Sequence, residues 1–266
     1  MIHLANISGG AASGAMLLRM VDRIGAENID ARFADVLQEH PDLYRFLGDL
    51  ERVSGVKIRR ISDGRNCWDV WMQEAMLTNP QSGGCLASYH LKKLPLAADA
   101  ASVGSPENVT IYVGFGPDEQ DRMARLEKAG GGWRFEYPLT WSPRAFRCDV
   151  VDELRARGIE PSQAYADGYQ HDNCGGACIL AGIQQWIGLL FDDRPLFLAN
   201  EMKEQEFLEK LASRGRPQIT ILRDRRGGTT RNLSLRQLRE EVESGFRTHD
   251  DSWRASSCSC VGDLFA

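Results

Sequence analysis

What this 266-residue chain lacks narrows it first. No apolar run reaches the roughly 20 residues a membrane-crossing helix needs; the longest candidate, 179–191, is broken by Gly182, Gln184 and Gln185. There is no excess of positive charge. Lys and Arg number 32 against 37 Asp and Glu, for a net charge of −5, so the bulk field repels a nucleic-acid backbone and any such contact needs a local basic patch. No basic leader opens the chain, so no signal peptide is expected and a cytoplasmic protein without membrane contact is. The seven cysteines are an odd number, which argues against a disulfide framework. Internal repeats, low-complexity segments and a clean linker are missing as well.

What is present is ordinary in bulk and unusual in places. Hydrophobic residues make up 42% and charged residues 26%, the balance of a soluble globular protein long enough for a sizeable core. The first fourteen residues, Met1-Ile-His-Leu-Ala-Asn-Ile-Ser-Gly-Gly-Ala-Ala-Ser-Gly14, organise the rest. An apolar run over 2–7 reads as a buried strand, Ser8-Gly9-Gly10 as a turn, and 15–24 as a helix. Strand, small-residue turn and helix suit an anionic phosphate, because glycines let the backbone approach and the helix N-terminus adds about half a positive charge. The turn is neither Gly-x-Gly-x-x-Gly nor Gly-Lys-Ser/Thr, so a dinucleotide fingerprint and a Walker loop are excluded there.

Strands are expected next at 29–34, 56–61, 108–115 and 133–139, separated by helices at 42–54, 68–77, 119–128 and 142–157. That alternation predicts an α/β fold, a Rossmann-like, doubly wound parallel sheet of five strands. A short helix is expected from Cys85 to Pro95, an apolar one over 179–190, others over 199–213 and 233–244, and one further strand over 218–222. The chain divides in this reading into 1–192, a nucleotide-binding domain with the cysteine-rich segment, and 193–266, a mostly helical extension with a Cys-x-Cys tail.

The cysteines carry the strongest chemical signal. Cys174 and Cys178 flank a Gly-Gly turn, Cys258 and Cys260 flank one serine, and Cys85 opens a helix, where the dipole favours a thiolate. Soft thiolates gathered from distant segments suit zinc or an iron-sulfur cluster. Cys67 and Cys148 read as small buried hydrophobes.

The opening loop resembles the Ser-Gly-Gly-x-x-Ser pyrophosphate-binding loop (PP-loop) of ATP pyrophosphatases. Farther on, Cys148-Asp149, Gly158-Ile-Glu-Pro161, Tyr165-Ala-Asp-Gly-Tyr-Gln-His-Asp-Asn-Cys-Gly-Gly-Ala-Cys178 and Ala181-Gly182 resemble a signature of phosphoadenylyl-sulfate-reductase-like PP-loop proteins. That group is similar to the ATP-pyrophosphatase component of DNA phosphorothioation systems. Pro41-Asp-Leu-Tyr-Arg-Phe46 after Asp35 and Glu39, Cys85 with Leu91-Lys92 and Pro95, and Cys258-Ser-Cys260 fall on further landmarks of the same family.

The resemblance implies an enzyme that binds ATP with Mg2+ and cleaves it between the α and β phosphates, the AMP activating an oxygen that sulfur then displaces. Ser8, Gly9, Gly10, Ser13 and Gly14 would hold the phosphates, and Ser8, Ser13 and Lys92 form the catalytic set. Asp35 would lie near ribose or adenine, with a turn cap as its bland alternative. Cys85, Cys174, Cys178 and one of Cys258 or Cys260 would ligate a [4Fe-4S] cluster. The expected partners are a cysteine desulfurase as sulfur donor and a nucleic acid, foremost DNA. Two departures stand out: Ala12 occupies a position where many PP-loops carry aspartate, and the Glu-Cys-Gly tail of sulfonucleotide reductases is missing.

Other charged groups are weaker candidates. Lys92 and Lys93 suit a phosphate or a solvated helix face, and Asp118, Glu119 and Arg122 a nucleotide or a helix cap. His171 suits acid–base chemistry or structure, and Arg223-Asp-Arg-Arg-Gly-Gly228 with Arg231 nucleic acid or an exposed loop. Two rival functions stay open: reduction of phosphoadenylyl or adenylyl sulfate, and a non-enzymatic zinc or redox-sensing module with an inert phosphate loop.

Overall fold

The computed structural model of the protein describes residues 1–80, 82–169 and 174–254. His171, Cys258 and Cys260 lie outside the described residues. β1 (Ile2–Ile7), β2 (Ile29–Ala34), β3 (Ile58–Ile61), β4 (Val109–Tyr112) and β5 (Arg134–Glu136) form one parallel sheet in the order β3-β2-β1-β4-β5. The α/β, Rossmann-like expectation is thereby met. β1 is central, with Leu4 opposite Asp30 on one side and Ile111 on the other. Leu4, Ala5 and Ile7 are buried, since helices cover both faces of a parallel sheet and its strands read as continuous apolar runs.

α1 (Ala11–Ile24) begins four residues earlier than the sequence pattern suggests. Gly10 stands as its N-cap, and the small residues that read as a turn are already its first turn. Gly14 sits within that turn because a Cβ there would stand 2.8 Å from Cζ of Phe46. Phe46 belongs to α2 (Leu43–Ser54), whose Leu43, Phe46, Leu47 and Leu50 are all buried at helical spacing. α2 ends at Gly55 in the left-handed conformation (φ +71°), as a helix C-terminus favours.

After β3 come α3 (Cys67–Glu74), the three-residue α4 (Leu86–Ser88), a π turn over Tyr89–Lys93, and α5 (Leu94–Val103). The helix that opens in the Cys85–Pro95 segment runs on past the proline to Val103. The π turn shifts the hydrogen-bond ladder just ahead of the proline, whose missing N–H would otherwise break it, and the helix continues. α6 (Gln120–Ala129), α7 (Arg147–Ala156) and α8 (Gln163–Ala166) follow, then α9 (Ile183–Asp192) and α10 (Arg194–Ser213). α7 starts later than Ser142-Pro143 suggests, and α9 later than its apolar run suggests. The expected strand at 218–222 is corrected to β6 (Leu222–Asp224), antiparallel to β7 (Arg231–Leu233) and followed by α11 (Leu235–Glu243). Strands of three residues are too short for periodicity to reveal.

The core has two principal parts. One joins α1, α2 and α7 to a face of the sheet. The other joins α3 to α9, α10, the β6–β7 hairpin and α11, with Cys85 and Cys174 packed against its edge. Trp68 Nε1 donates to Oδ1 of Asn200 at 2.9 Å, tying α3 to α10 inside this second part.

Candidate functional site

The Ser8–Gly14 turn lies at the C-terminal end of β1, where the sheet order reverses between β1 and β4. Open α/β sheets bind ligands in the crevice at such a switch point. Gly9 has φ +82°, and a Cβ there would be 2.8 Å from Cγ of Leu43; the position therefore excludes side chains on two counts. The loop after β4 closes from the other side, where a Cβ on Gly114 would stand 3.0 Å from the Ala12 backbone.

The two serines have different tasks. Ser13 is buried (3% exposed); its hydroxyl donates to the Gly10 carbonyl at 2.8 Å and accepts from the Ser8 N–H at 3.1 Å. It braces the turn. Ser8 is exposed, and its hydroxyl donates to Ser13 Oγ at 3.2 Å and accepts from Gly10 N–H at 3.4 Å. Of the pair, Ser8 is the one a ligand reaches. The first N–H of α1, on Ala11, donates to the Tyr165 hydroxyl at 3.0 Å, a contact that no local pattern in the sequence signals.

Asp35 stands just past β2 and is buried (5% exposed). It accepts from Leu37 N–H at 2.9 Å and from the Tyr44 hydroxyl at 3.0 Å, with Arg60 3.7 Å away. Its oxygens bind the turn that follows. Glu39, four residues on, has a side chain with no exposure. Oε1 accepts from Lys92 Nζ at 2.8 Å and Oε2 from the Cys174 backbone N–H at 3.2 Å. Lys92 therefore points to this carboxylate, from the π turn that follows Cys85.

Cys174, Gly175 and Gly176 take φ values of +52°, +58° and +90°, a left-handed run that two glycines ease. Their turn is lashed to α9: Gln185 Nε2 donates to the Gly176 carbonyl at 3.0 Å and Trp186 Nε1 to the Cys178 carbonyl at 3.2 Å. The Cys67 thiol, at the start of α3, neighbours the Cys174 thiol and so belongs to the group. That neighbour and then burial push the Cys174 thiol well up. Burial first, then the nearness of Cys174, raises Cys85 and Cys178 to about 11, and Cys178 adds to the effect at Cys85. Lys92 works against this at Cys174 and Cys178. Burial depresses the Lys92 ammonium, but Glu39 and then Cys174 outweigh it and hold its pKa up.

Three sequence-designated thiols, Cys85, Cys174 and Cys178, are thus half-buried electrostatic neighbours, with the Lys92 cation close to Cys174 and Cys178. Soft donors with a counter-charge fit thiolate-bound iron or another soft metal. Among the described residues no three or more His, Cys, Asp or Glu side chains converge as a site for one metal ion. A multi-iron cluster spaces its ligand sulfurs wider than one ion does. The described chain also ends nearby: the Trp253 ring is 5.2 Å from that of Tyr169, and a Cβ on Gly176 would stand 2.8 Å from the Tyr169 ring.

Several charged candidates are occupied locally. Glu119 accepts from Gly116 N–H at 2.9 Å and pairs with Arg122, which stacks 4.3 Å over Phe115. In the Arg223–Arg231 patch, Asp224 takes Arg226 at 3.1 Å, Arg231 at 3.0 Å and Arg247 at 2.6 Å, and Glu241 pairs with Arg231 and Arg247. The arginine contacts, Arg226 first, hold the Asp224 carboxyl far below its usual range. Arg226 and Arg231 of the patch are thus held in ion pairs within the fold. Cys148 lies on α7, 3.7 Å from Asp149 Oδ1.

No helix among the described residues is long and apolar enough to cross a membrane. No protein-family model matches the chain, and no curated protein matches it in sequence. Among solved structures it is similar to phosphoadenylyl-sulfate (PAPS) reductase from Candida auris in its phosphate complex. The identity is 12%, over 65% of this chain and 81% of that one, with a TM-score of 0.47. Nothing about this chain's substrate follows from that likeness.

Proposed function

We propose that the protein is a PP-loop ATP pyrophosphatase that couples α–β cleavage of ATP to sulfur transfer onto nucleic acid, DNA phosphorothioation being the foremost case. One observation carries the reading: an exposed serine and two close-approach glycines stand at the C-terminal end of the central strand. Glu39, on the loop after the neighbouring strand, meanwhile grips the cysteine turn. Phosphate chemistry and thiol chemistry then share one end of the sheet.

In this mechanism Gly9 and Gly10 admit the phosphates to the backbone, Ser8 donates a hydrogen bond, and the head of α1 favours the negative charge. Ser13 and Gly14 keep the turn's shape. An acceptor oxygen attacks the α-phosphorus, pyrophosphate leaves, and sulfur later displaces AMP from the activated acceptor. Mg2+, when bound, would supply charge neutralisation to the phosphates; Ala12 offers it no carboxylate. Lys92 acts at the thiols as a charge partner, set by Glu39. Cys85, Cys174 and Cys178, with Cys258 or Cys260, would hold a [4Fe-4S] cluster, which supplies redox or sulfide chemistry when bound. A cysteine desulfurase supplies the sulfur.

The test is anaerobic purification and reconstitution with ATP, a desulfurase and DNA, following pyrophosphate release, visible absorption and sulfur incorporation by mass spectrometry. Sulfite release from adenylyl sulfate with thioredoxin would instead select the reductase reading. A colourless, zinc-loaded protein indifferent to ATP would select the non-enzymatic one.

A further inference from the structure

We propose that Tyr165 belongs to the phosphate subsite, its hydroxyl holding the place of a phosphate oxygen on the Ala11 N–H until an incoming phosphate takes that N–H over. The inference rests on the phosphate-loop reading and refines it.

Three observations meet here. The Ala11 N–H donates to Tyr165 Oη at 3.0 Å, between residues 154 positions apart in the chain. The hydroxyl stands directly over the turn, since a Cβ on Gly10 would be 3.1 Å from it and 3.5 Å from Ser8 Oγ. Tyr165 Oη, the Ser8 hydroxyl and the Gly10 backbone therefore border one small space, the one a phosphate needs in order to touch the turn. Finally, Tyr165 rides on α8, a four-residue helix that is held to the loop before α2 by a 2.8 Å bond from Gln163 N–H to Asp42 Oδ2. Neither Gln163 nor Asp42 belongs to a strand, so a shift of the Tyr165 hydroxyl leaves the sheet's own hydrogen bonds in place.

The exchange is favourable on chemical grounds. The leading N–H groups of a helix lack intrahelical partners and prefer an anion, and a charged acceptor bonds about twice as strongly as a neutral hydroxyl. Tyr165 satisfies Ala11 while the loop is empty and is the weaker competitor once phosphate arrives. Gly10 is constrained from both directions, as a bulkier residue would collide with the hydroxyl or with its replacement.

The test is calorimetric titration of inorganic pyrophosphate into the full chain and into Tyr165→Phe, which removes one oxygen and keeps the ring. The variant should bind about fivefold tighter, the equivalent of the roughly 1 kcal/mol that one neutral hydrogen bond contributes net. Equal or weaker binding by the variant, with wild type binding, overturns this proposal and leaves the loop reading standing. Failure of both proteins to bind overturns the two together. Should Tyr165→Phe not fold, the Ala11 amide resonance of wild type decides. It must shift on saturation with pyrophosphate; an unmoved signal rejects the exchange.

Discussion

The Lys92 ammonium lies 2.8 Å from Oε1 of Glu39, on a carboxylate that has no exposed surface. That pair joins the π turn after Cys85 to the loop after β2, and through the second carboxylate oxygen it reaches Cys174. Removing one partner of a buried pair leaves an uncompensated charge, which costs far more than the pair's net worth. Lys92→Met should therefore destabilise the fold by roughly 3–5 kcal/mol. The double variant Lys92→Met with Glu39→Gln should recover more than half of that. Urea denaturation of wild type, Lys92→Met, Glu39→Gln and the double variant measures it, and additive losses would reject the coupling.

Ser8 and Ser13 should separate function from stability. Ser8→Ala removes an exposed donor, so its unfolding free energy should stay within about 0.5 kcal/mol of wild type. Pyrophosphate release should meanwhile fall by about 10- to 100-fold, the worth of one hydrogen bond to a charged group. Ser13→Ala cuts the brace between Gly10 and Ser8 and should cost about 1–3 kcal/mol of stability, with release lost as the turn deforms. Parallel melts and pyrophosphate assays distinguish the two.

Gly9 bears both backbone and steric demands, and Gly131 bears only the first. Gly131 has φ +59° with nothing within 4 Å of a new Cβ. Gly131→Ala should cost about 1–2 kcal/mol, the left-handed penalty alone. Gly9→Ala adds the collision with Leu43 and should cost roughly 2–4 kcal/mol. Similar losses at both sites would mean that Leu43 yields freely.

Glu204 should make stability depend on pH. It is buried, accepting from Ile221 N–H at 2.8 Å and Leu235 N–H at 2.6 Å, and burial raises its carboxyl to about 6. The folded state thus holds the proton more tightly than the unfolded chain, so this group's contribution is greatest below pH ~4.5 and is lost as pH rises through about 6. The change is on the order of 2 kcal/mol, since each pH unit between the folded and unfolded pKa is worth about 1.4 kcal/mol. Glu204→Gln should flatten that slope in denaturation runs between about pH 4.5 and 7. At neutral pH it should be less stable than wild type, because its amide would face one of the two N–H donors.

How far the sequence leads depends on the range of the interaction. β1 and β2 match their expected bounds because a buried strand writes its environment as an apolar run, and α2 announces itself through Leu43, Phe46, Leu47 and Leu50. The start of α1 is hidden because Ala11 to Gly14 carry no apolar stripe, although their smallness is what lets Phe46 approach. The pairing of β6 with β7 is equally hidden: these three-residue strands depend on the distant Glu204, which bonds both flanks. Cys67 reads as a plain hydrophobe because only its burial, and not its neighbour, is encoded nearby.

The sequence by itself determined the sheet class, and it marked the small-residue turn after β1 and the Cys174/Cys178 pair, since each follows from residues adjacent or regularly spaced along the chain. Only the tertiary structure decided that Tyr165 caps Ala11, that Glu39 links Lys92 to Cys174, and that Asp224 and Glu241 gather Arg226, Arg231 and Arg247. Those are meetings of residues brought together by packing, and a linear pattern does not record where a fold will carry a side chain.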